Sequence, residues 1–261
     1  MKNRLISAVI LLAIVLPVVI IGGIAFGLLV GVVTMVVTKE LTDLYQIPNV
    51  VKLAVFLALL SIVYSNFDPN HLSLGLDFRT VSLALLLLMT PIIFFQISGK
   101  YTTKHAFEIM GFVLLVGLGL SYFIQIRNFN FLYFLLMILT PMVTDIFAYT
   151  GGMMIGKHKV TKISPNKSWE GYIIGSLMGT FIMTVFYTTL IGVQTDIWIV
   201  IGIILLMTIF GQIGDLFFSA IKRQHNIKDF SKLIPGHGGV LDRLDSLIFT
   251  ALIFIVLMRY L

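Results

Sequence analysis

Residues 219–245 read SAIKRQHNIKDFSKLIPGHGGVLDRLD, and the rest of the chain is organised around them. The stretch gathers Lys222, Arg223, Lys228, Asp229, Lys232, His237, Asp242, Arg243 and Asp245 around a Pro-Gly-His-Gly-Gly turn, and apolar runs flank it on both sides. Dense charge between two apolar runs points to an anion and metal site at a membrane surface.

Outward from this stretch the chain avoids charge. Of its 261 residues, 58% are hydrophobic and 11% charged, with a mean hydropathy of +1.03. A soluble domain carries about 25% charged residues. The reading is an all-α integral membrane protein, and no polar stretch is long enough for a separate soluble domain. The absence of cysteine excludes disulfides, thiolate metal sites and cysteine nucleophiles. A net charge of +6 reports topology and anionic headgroups in such a chain, and nucleic acid is not an expected partner. Lys2 and Arg4 precede an apolar run that reaches Val37 without a small-residue cleavage site, so retained helices are expected instead of a signal peptide.

A ruler of about 20 apolar residues per span predicts a polytopic bundle of about nine transmembrane helices: 4–21, 22–38, 50–66, 79–97, 106–126, 130–154, 169–191, 196–223 and 244–261. Gly22-Gly23 is the only punctuation between the first two. The Lys and Arg residues test this division independently. With a cytoplasmic N-terminus, only Arg79, Arg127 and Arg259 of the 18 fall outside, the bias expected of cytoplasmic segments. Loops 155–168 and 224–243 then share the cytoplasmic face. The organisation expected is residues 1–105 as N-terminal helices and 106–261 as a catalytic region carrying both loops.

Carboxylates inside spans are costly and mark function by default. Asp145 and Asp215 each precede a cytoplasmic helix end by eight to ten residues, roughly 10–15 Å at 1.5 Å per residue, and so could share a cavity. An interhelical polar contact or a Lys–Asp pair is the plainer alternative. Asp215, Ser219, Lys222 and Arg223 line one face of their helix, as Asp145 and Tyr149 line one of theirs. Gly211 and Gly214, like Gly151, Gly152 and Gly156, permit close approach by a ligand or simply by another helix. Gly238 and Gly239 can offer backbone N–H groups to an anion. Asp242 and Asp245, three apart, start the last helix, either as cation ligands or as a solvated helix start. Oxygen ligands without cysteine favour a hard cation such as Mg²⁺, completed by substrate phosphates, with Lys and Arg holding those phosphates. In the other loop, Ser168 caps a helix whose first turn holds Glu170. Lys167 is left for a phosphate, and Trp169 for an interfacial or base-stacking role. These residues suggest phosphoryl or nucleotidyl transfer.

Ser219-x-Ile221-Lys222-Arg223, Lys228-Asp229-x-Ser231 and Ile234-Pro235-x-His237-Gly238-Gly239-Val240-x-Asp242-Arg243-x-Asp245 together resemble the signature of the phosphatidate cytidylyltransferase (CDP-diacylglycerol synthase) family. Asp145-x-Phe147-Ala148-Tyr149, Gly152, Gly156, Lys157 and the loop Ser164-Pro165 to Glu170-Gly171 are similar to it as well. That loop departs from the Lys-Thr pattern around Lys167, having Asn166 and Ser168. Recognisable motifs cover roughly 138–250, and the first hundred residues match in hydropathy alone.

The resemblance implies that CTP and phosphatidate give CDP-diacylglycerol and pyrophosphate with Mg²⁺, in a homodimeric enzyme of the bacterial inner membrane with its site facing the cytoplasm. Asp215 and Asp242 are then expected on the metal, with Asp145 and Asp245 as further ligands or acceptors. Lys222, Arg223, Lys228 and Arg243 would neutralise phosphates. Ser219, Lys167 and Tyr149 would contact substrate, and His237-Gly238-Gly239 would cradle a phosphate by its backbone, with His237 alternatively a proton donor. The rival readings are CTP-dependent transfer to another lipid phosphate or a polyprenol, and an ion-coupled transporter using Asp145 and Asp215.

Overall fold

A computed structural model describes residues 13–65, 77–192, 195–233 and 238–261, and among them the chain is helical with no strand. Six helices are long and apolar enough to cross a membrane. The chain forms two compact units: Met1–Phe129 with Asp229–Asp242, and Asn130–Lys228 with Arg243–Leu261.

In the first unit, residues 13–21 are helical (α1), followed by α2 (Gly23–Tyr45), α3 (Asn49–Val63), α4 (Phe78–Met89), the short α5 (Ile92–Phe95) and α6 (Thr103–Phe129). The expected break between the first two spans falls at Gly22 and Gly23, with φ of 70° and 55°, where L side chains are disfavoured. Arg127 of α6 fixes it. Its Nε and Nη2 donate to the carbonyls of Val19 and Ile20, the last turn of α1, as a cation does at a helix C-terminus. A Cβ on Gly22 would lie 2.8 Å from that guanidinium. Helix α2 runs on to Tyr45, past the expected end at 38, and α3 is only 15 residues long. Tyr64 Oη donates to the Gly27 carbonyl across α2, and Gly117 of α6 lets Ile62 of α3 approach to 2.8 Å from where its Cβ would be.

The second unit holds α7 (Phe131–Ile155), α8 (Trp169–Phe186, ending in a π turn at Tyr187–Ile191), α9 (Ile197–Gln224) and most of α10 (Leu241–Leu257). Asn130 caps α7 by accepting from Leu132 and Tyr133 N–H, and Asp196 caps α9. Helices α7 and α8 meet along a seam of small residues. A Cβ on Gly175 would sit 2.8 Å from both the Thr144 carbonyl and Ala148 Cβ, one on Gly171 2.6 Å from the Ala148 carbonyl, and one on Gly179 2.6 Å from Thr144 Oγ1. Without a strong hydrophobic drive between helices in lipid, such close packing is the main attraction. The same use accounts for Gly211 and Gly214, where Thr250 and the Asp245 carbonyl of α10 come within 2.9 and 2.7 Å of the missing Cβ positions. Gln212 Nε2, buried in α9, donates to Ser176 Oγ of α8 at 2.7 Å.

Gly175→Val places branched carbon against a carbonyl that cannot move away. It should destabilise the protein by about 1–3 kcal/mol, read as a lower Tm in detergent. Gly202→Ala, where nothing lies within 4 Å of the added Cβ, should leave Tm unchanged or slightly raised.

Candidate functional site

In the second unit, the segment between α7 and α8 folds back on itself to present Lys167. Val160 N–H donates to the Lys167 carbonyl, Trp169 N–H to the His158 carbonyl, and Lys159 and Ser168 form an isolated antiparallel bridge. Ser168 then caps α8 by accepting from Gly171 N–H at 3.2 Å. Glu170 does more than face a helix start. Its carboxylate accepts from the N–H groups of Lys157 and His158 and lies 2.6 Å from His158 Nδ1, so it ties the beginning of the segment to its end.

Held this way, Lys167 Nζ donates to Asp215 Oδ2 of α9. Ser219, one turn on, donates to Asp215 Oδ1 at 3.4 Å. Lys167 also feels the Asp145 and Asp245 carboxylates and the buried Lys222 ammonium. Burial lowers the Lys167 pKa from its ordinary value. The two carboxylates pull it back up, and Lys222 adds to the lowering. Lys167, Asp145 and Asp215 line a cavity of about 420 Å³ together with Tyr149, Gly152, Ser164, Asn166 and Tyr172. Two carboxylates and one ammonium therefore line one polar pocket, and the Asp245 and Lys222 charges act on that ammonium from beyond the lining. Tyr172, absent from the sequence reading, faces Lys167 with its ring centroid 5.5 Å from Nζ. It also lines a second, almost wholly apolar groove of about 500 Å³ with Trp169, Ile173, Leu177, Ile209 and Leu216.

Other expected residues are placed differently. Arg223 donates to the carbonyls of Ile163 and Ile227 and so braces loops. Lys228 and Arg243 are exposed. Asp242, Gly238 and Gly239 belong to the first unit. There Asp242 Oδ2 accepts from Phe230 N–H at 2.8 Å and Gly239 N–H at 2.9 Å, and Gly238 takes a φ of 84°. His237 lies outside the described residues. Glu40 of α2, which the sequence reading passed over, is 3% exposed and accepts from Ser231 Oγ and from the N–H groups of Val240 and Leu241. A carboxylate closing an apolar run is the signal that marks it. Among the described residues, no three His, Cys, Asp or Glu side chains cluster as a ready-made metal cage.

The sequence profile of the cytidylyltransferase family matches residues 2–261. The chain belongs to that family. Among proteins similar to this cytidylyltransferase, the phosphatidate cytidylyltransferase of Staphylococcus aureus (strain COL) is 33% identical over 258 residues, covering 95% of each chain. That of Staphylococcus haemolyticus (strain JCSC1435) is 34% identical over 256 residues, again 95% of each. That of Staphylococcus epidermidis (strain ATCC 12228) is 31% identical over the same length.

In this cytidylyltransferase Lys167 offsets several carboxylates at once. Lys167→Met should therefore destabilise the protein by about 1–3 kcal/mol, the cost of leaving a partly buried carboxylate without its partner. Adding Asp215→Asn should recover part of that loss. Thermal unfolding of the wild type, both single variants and the double variant measures the coupling.

Proposed function

We propose that this membrane-embedded cytidylyltransferase transfers CMP from CTP to phosphatidate, giving CDP-diacylglycerol and pyrophosphate. The observation that carries the reading is the polar cavity of Lys167, Asp145 and Asp215 sharing Tyr172 with an apolar groove. A phosphate on an acyl glycerol needs a charged pocket for its head and an apolar channel for its chains. The whole-length match to proteins named phosphatidate cytidylyltransferase supports the same acceptor.

A phosphate oxygen of the lipid attacks the α-phosphorus of CTP. The new P–O bond forms as the bond to the β-phosphate oxygen breaks, and pyrophosphate leaves with that electron pair. A phosphomonoester is largely dianionic near neutral pH, its second pKa being about 6, so the protein need not supply a strong base. Its task is to bring anions together. Lys167 supplies positive charge at the cavity, and the hairpin bonds around it fix that charge before substrate arrives, so little reorganisation accompanies reaction. A phosphate at Lys167 takes the ammonium from Asp215. Asp145 and Asp215, lining one cavity with oxygen donors alone, suit Mg²⁺, which commonly takes one or two carboxylates and completes its shell with water and phosphate. When bound, the cation would neutralise phosphate charge. Asp245 joins this set through its field on Lys167. The expectation for Asp242 as a ligand rests on the resemblance.

The membrane setting extends the reading: nine spans including α1, α3 and α10, a cytoplasmic N-terminus, the site on the cytoplasmic side of a bacterial inner membrane, and a homodimer. The Lys and Arg distribution supports the orientation.

Purified protein in detergent should release pyrophosphate only when phosphatidate, CTP and Mg²⁺ are all present. Pyrophosphate release with another lipid phosphate, or CDP release with a polyprenol, in place of phosphatidate would overturn the acceptor. Substrate flux without CTP consumption would overturn the enzyme reading. Asp215→Asn should lower turnover by at least about a hundredfold with Tm readings still showing folded protein, and substantial activity at saturating Mg²⁺ would remove Asp215 from the scheme. Because burial lowers the Lys167 pKa, its charge is lost as pH rises at a point below the ordinary lysine value of about 10.4. Turnover should fall on that alkaline limb. Lys167→Arg, charged to above about pH 12, should move the limb upward in whatever activity it retains.

A further inference from the structure

The signature segment in the first unit is held from outside itself. Glu40 Oε1 accepts from Ser231 Oγ at 2.7 Å and Val240 N–H at 2.8 Å, and Oε2 accepts from Leu241 N–H at 2.8 Å. The partners lie 191, 200 and 201 positions away in sequence. Asp242 closes the same turn from within, through Phe230 and Gly239 N–H. Every backbone N–H from Gly239 to Leu241 therefore ends on one of two carboxylates. Gly239 is part of the fit, since a Cβ there would lie 2.6 Å from Glu40 Oε1. Glu40 itself is 3% exposed, among the buried Thr38, Leu41 and Thr42 at the end of α2.

We infer that Glu40 is a positioning residue for nucleotidyl transfer, holding Ser231 and the Gly239–Asp242 turn in their working arrangement by a buried carboxylate contact from α2. This rests on the functional reading above. The chemistry favours it over simple packing. A buried carboxylate is expensive unless fully bonded, and an apolar residue would pack against α2 at no such cost. What only an acceptor can do is gather a hydroxyl and two amides from the turn that leads into α10. The glycine follows from the same contact: a side chain at 239 would obstruct the approach of Glu40 to the backbone. The inference also gives the N-terminal helices a function, as the scaffold that shapes the signature segment.

The test compares wild type, Glu40→Gln and Gly239→Ala in detergent by hydrogen exchange and by steady-state pyrophosphate release. Glu40→Gln keeps the shape but turns one acceptor into a donor facing Leu241 N–H. Exchange at Val240 and Leu241 should quicken by about tenfold or more in both variants, with α3 and α6 amides unchanged. KM for CTP should rise and kcat/KM fall about ten- to hundredfold, the usual range for a residue that orients a site. A purely structural role would instead lower the yield of active enzyme and leave KM for CTP as in the wild type. That result, or unchanged exchange at Val240 and Leu241, overturns the inference. Should Glu40→Gln fail to fold, Ser231→Ala removes one donor, leaves both backbone bonds to Glu40 in place, and is expected to show the same KM increase in smaller measure; an unchanged KM there counts against it. If wild-type protein releases no pyrophosphate, the activity reading fails, and with it the link to transfer. The exchange result then decides the Glu40 contact on its own.

Discussion

A charge placed among apolar helices must find a partner, and this constraint orders both units. Moving a carboxylate or an ammonium out of water costs several kcal/mol per ion after relaxation. In the second unit the solution is Lys167, whose ammonium bonds Asp215 and lies in the field of Asp145 and Asp245. In the first it is Glu40, whose two oxygens collect three donors. Neither residue is compensated by its chain neighbours. Each draws partners from a distant part of the sequence, so the charges specify how the elements of their unit come together as well as what the site can do.

Lys167 can serve this role because its surroundings leave it little freedom. Lysine carries considerable side-chain entropy, and one on a loose loop would spend much of its time in water. Here the segment ahead of α8 is closed by backbone bonds between residues 158 and 169 and by Glu170, which grips residues 157 and 158. The small-residue seam between α7 and α8 then sets the segment's two ends at a fixed spacing. The glycines of that seam and the charge at its mouth are thus two parts of one device. Close helix packing determines where the loop begins and ends, and the loop determines where the ammonium stands.

Much of this was legible in the sequence because lipid constrains sequence strongly. Helix ends fell within a few residues of the expected spans from Phe78 onward, since apolar length and terminal charge leave few alternatives. Asp145 and Asp215 were readable as neighbours from depth alone, and they line one cavity. The plainer reading of Gly211 and Gly214, helix packing, is what the structure shows. The continuation of α2 to Tyr45 was less visible, because Lys39 and Glu40 read as a helix end by hydropathy although Glu40 is buried. Glu40 as an anchor was out of reach for a different reason. Its donors are mostly backbone amides some 200 residues away, and an amide leaves no mark on the sequence. Asp242 and Asp245 have different partners. Residues three apart share a helix face, but Asp242 sits at the very start of α10 and turns to its own loop, whereas Asp245 bonds Ser246 N–H and faces Lys167.

The two cavities beside Tyr172 show why a substrate with one charged end and apolar chains suits this protein. A phosphate entering the polar cavity loses hydration, a loss that the lysine charge offsets; an acyl chain entering the groove loses only its contact with lipid of similar polarity. The free energy of selection is therefore concentrated at the head. Tyr172 lines both environments, with its ring centroid 5.5 Å from the Lys167 ammonium. A tyrosine fits such a boundary because it joins an apolar body to a polar tip. A bulkier aliphatic residue would complete the groove but offer the ammonium no favourable face, and a charged one would carry charge into the groove. Position 172 thus links the electrostatics of the polar cavity to the packing of the apolar one, and substitutions there should alter both together.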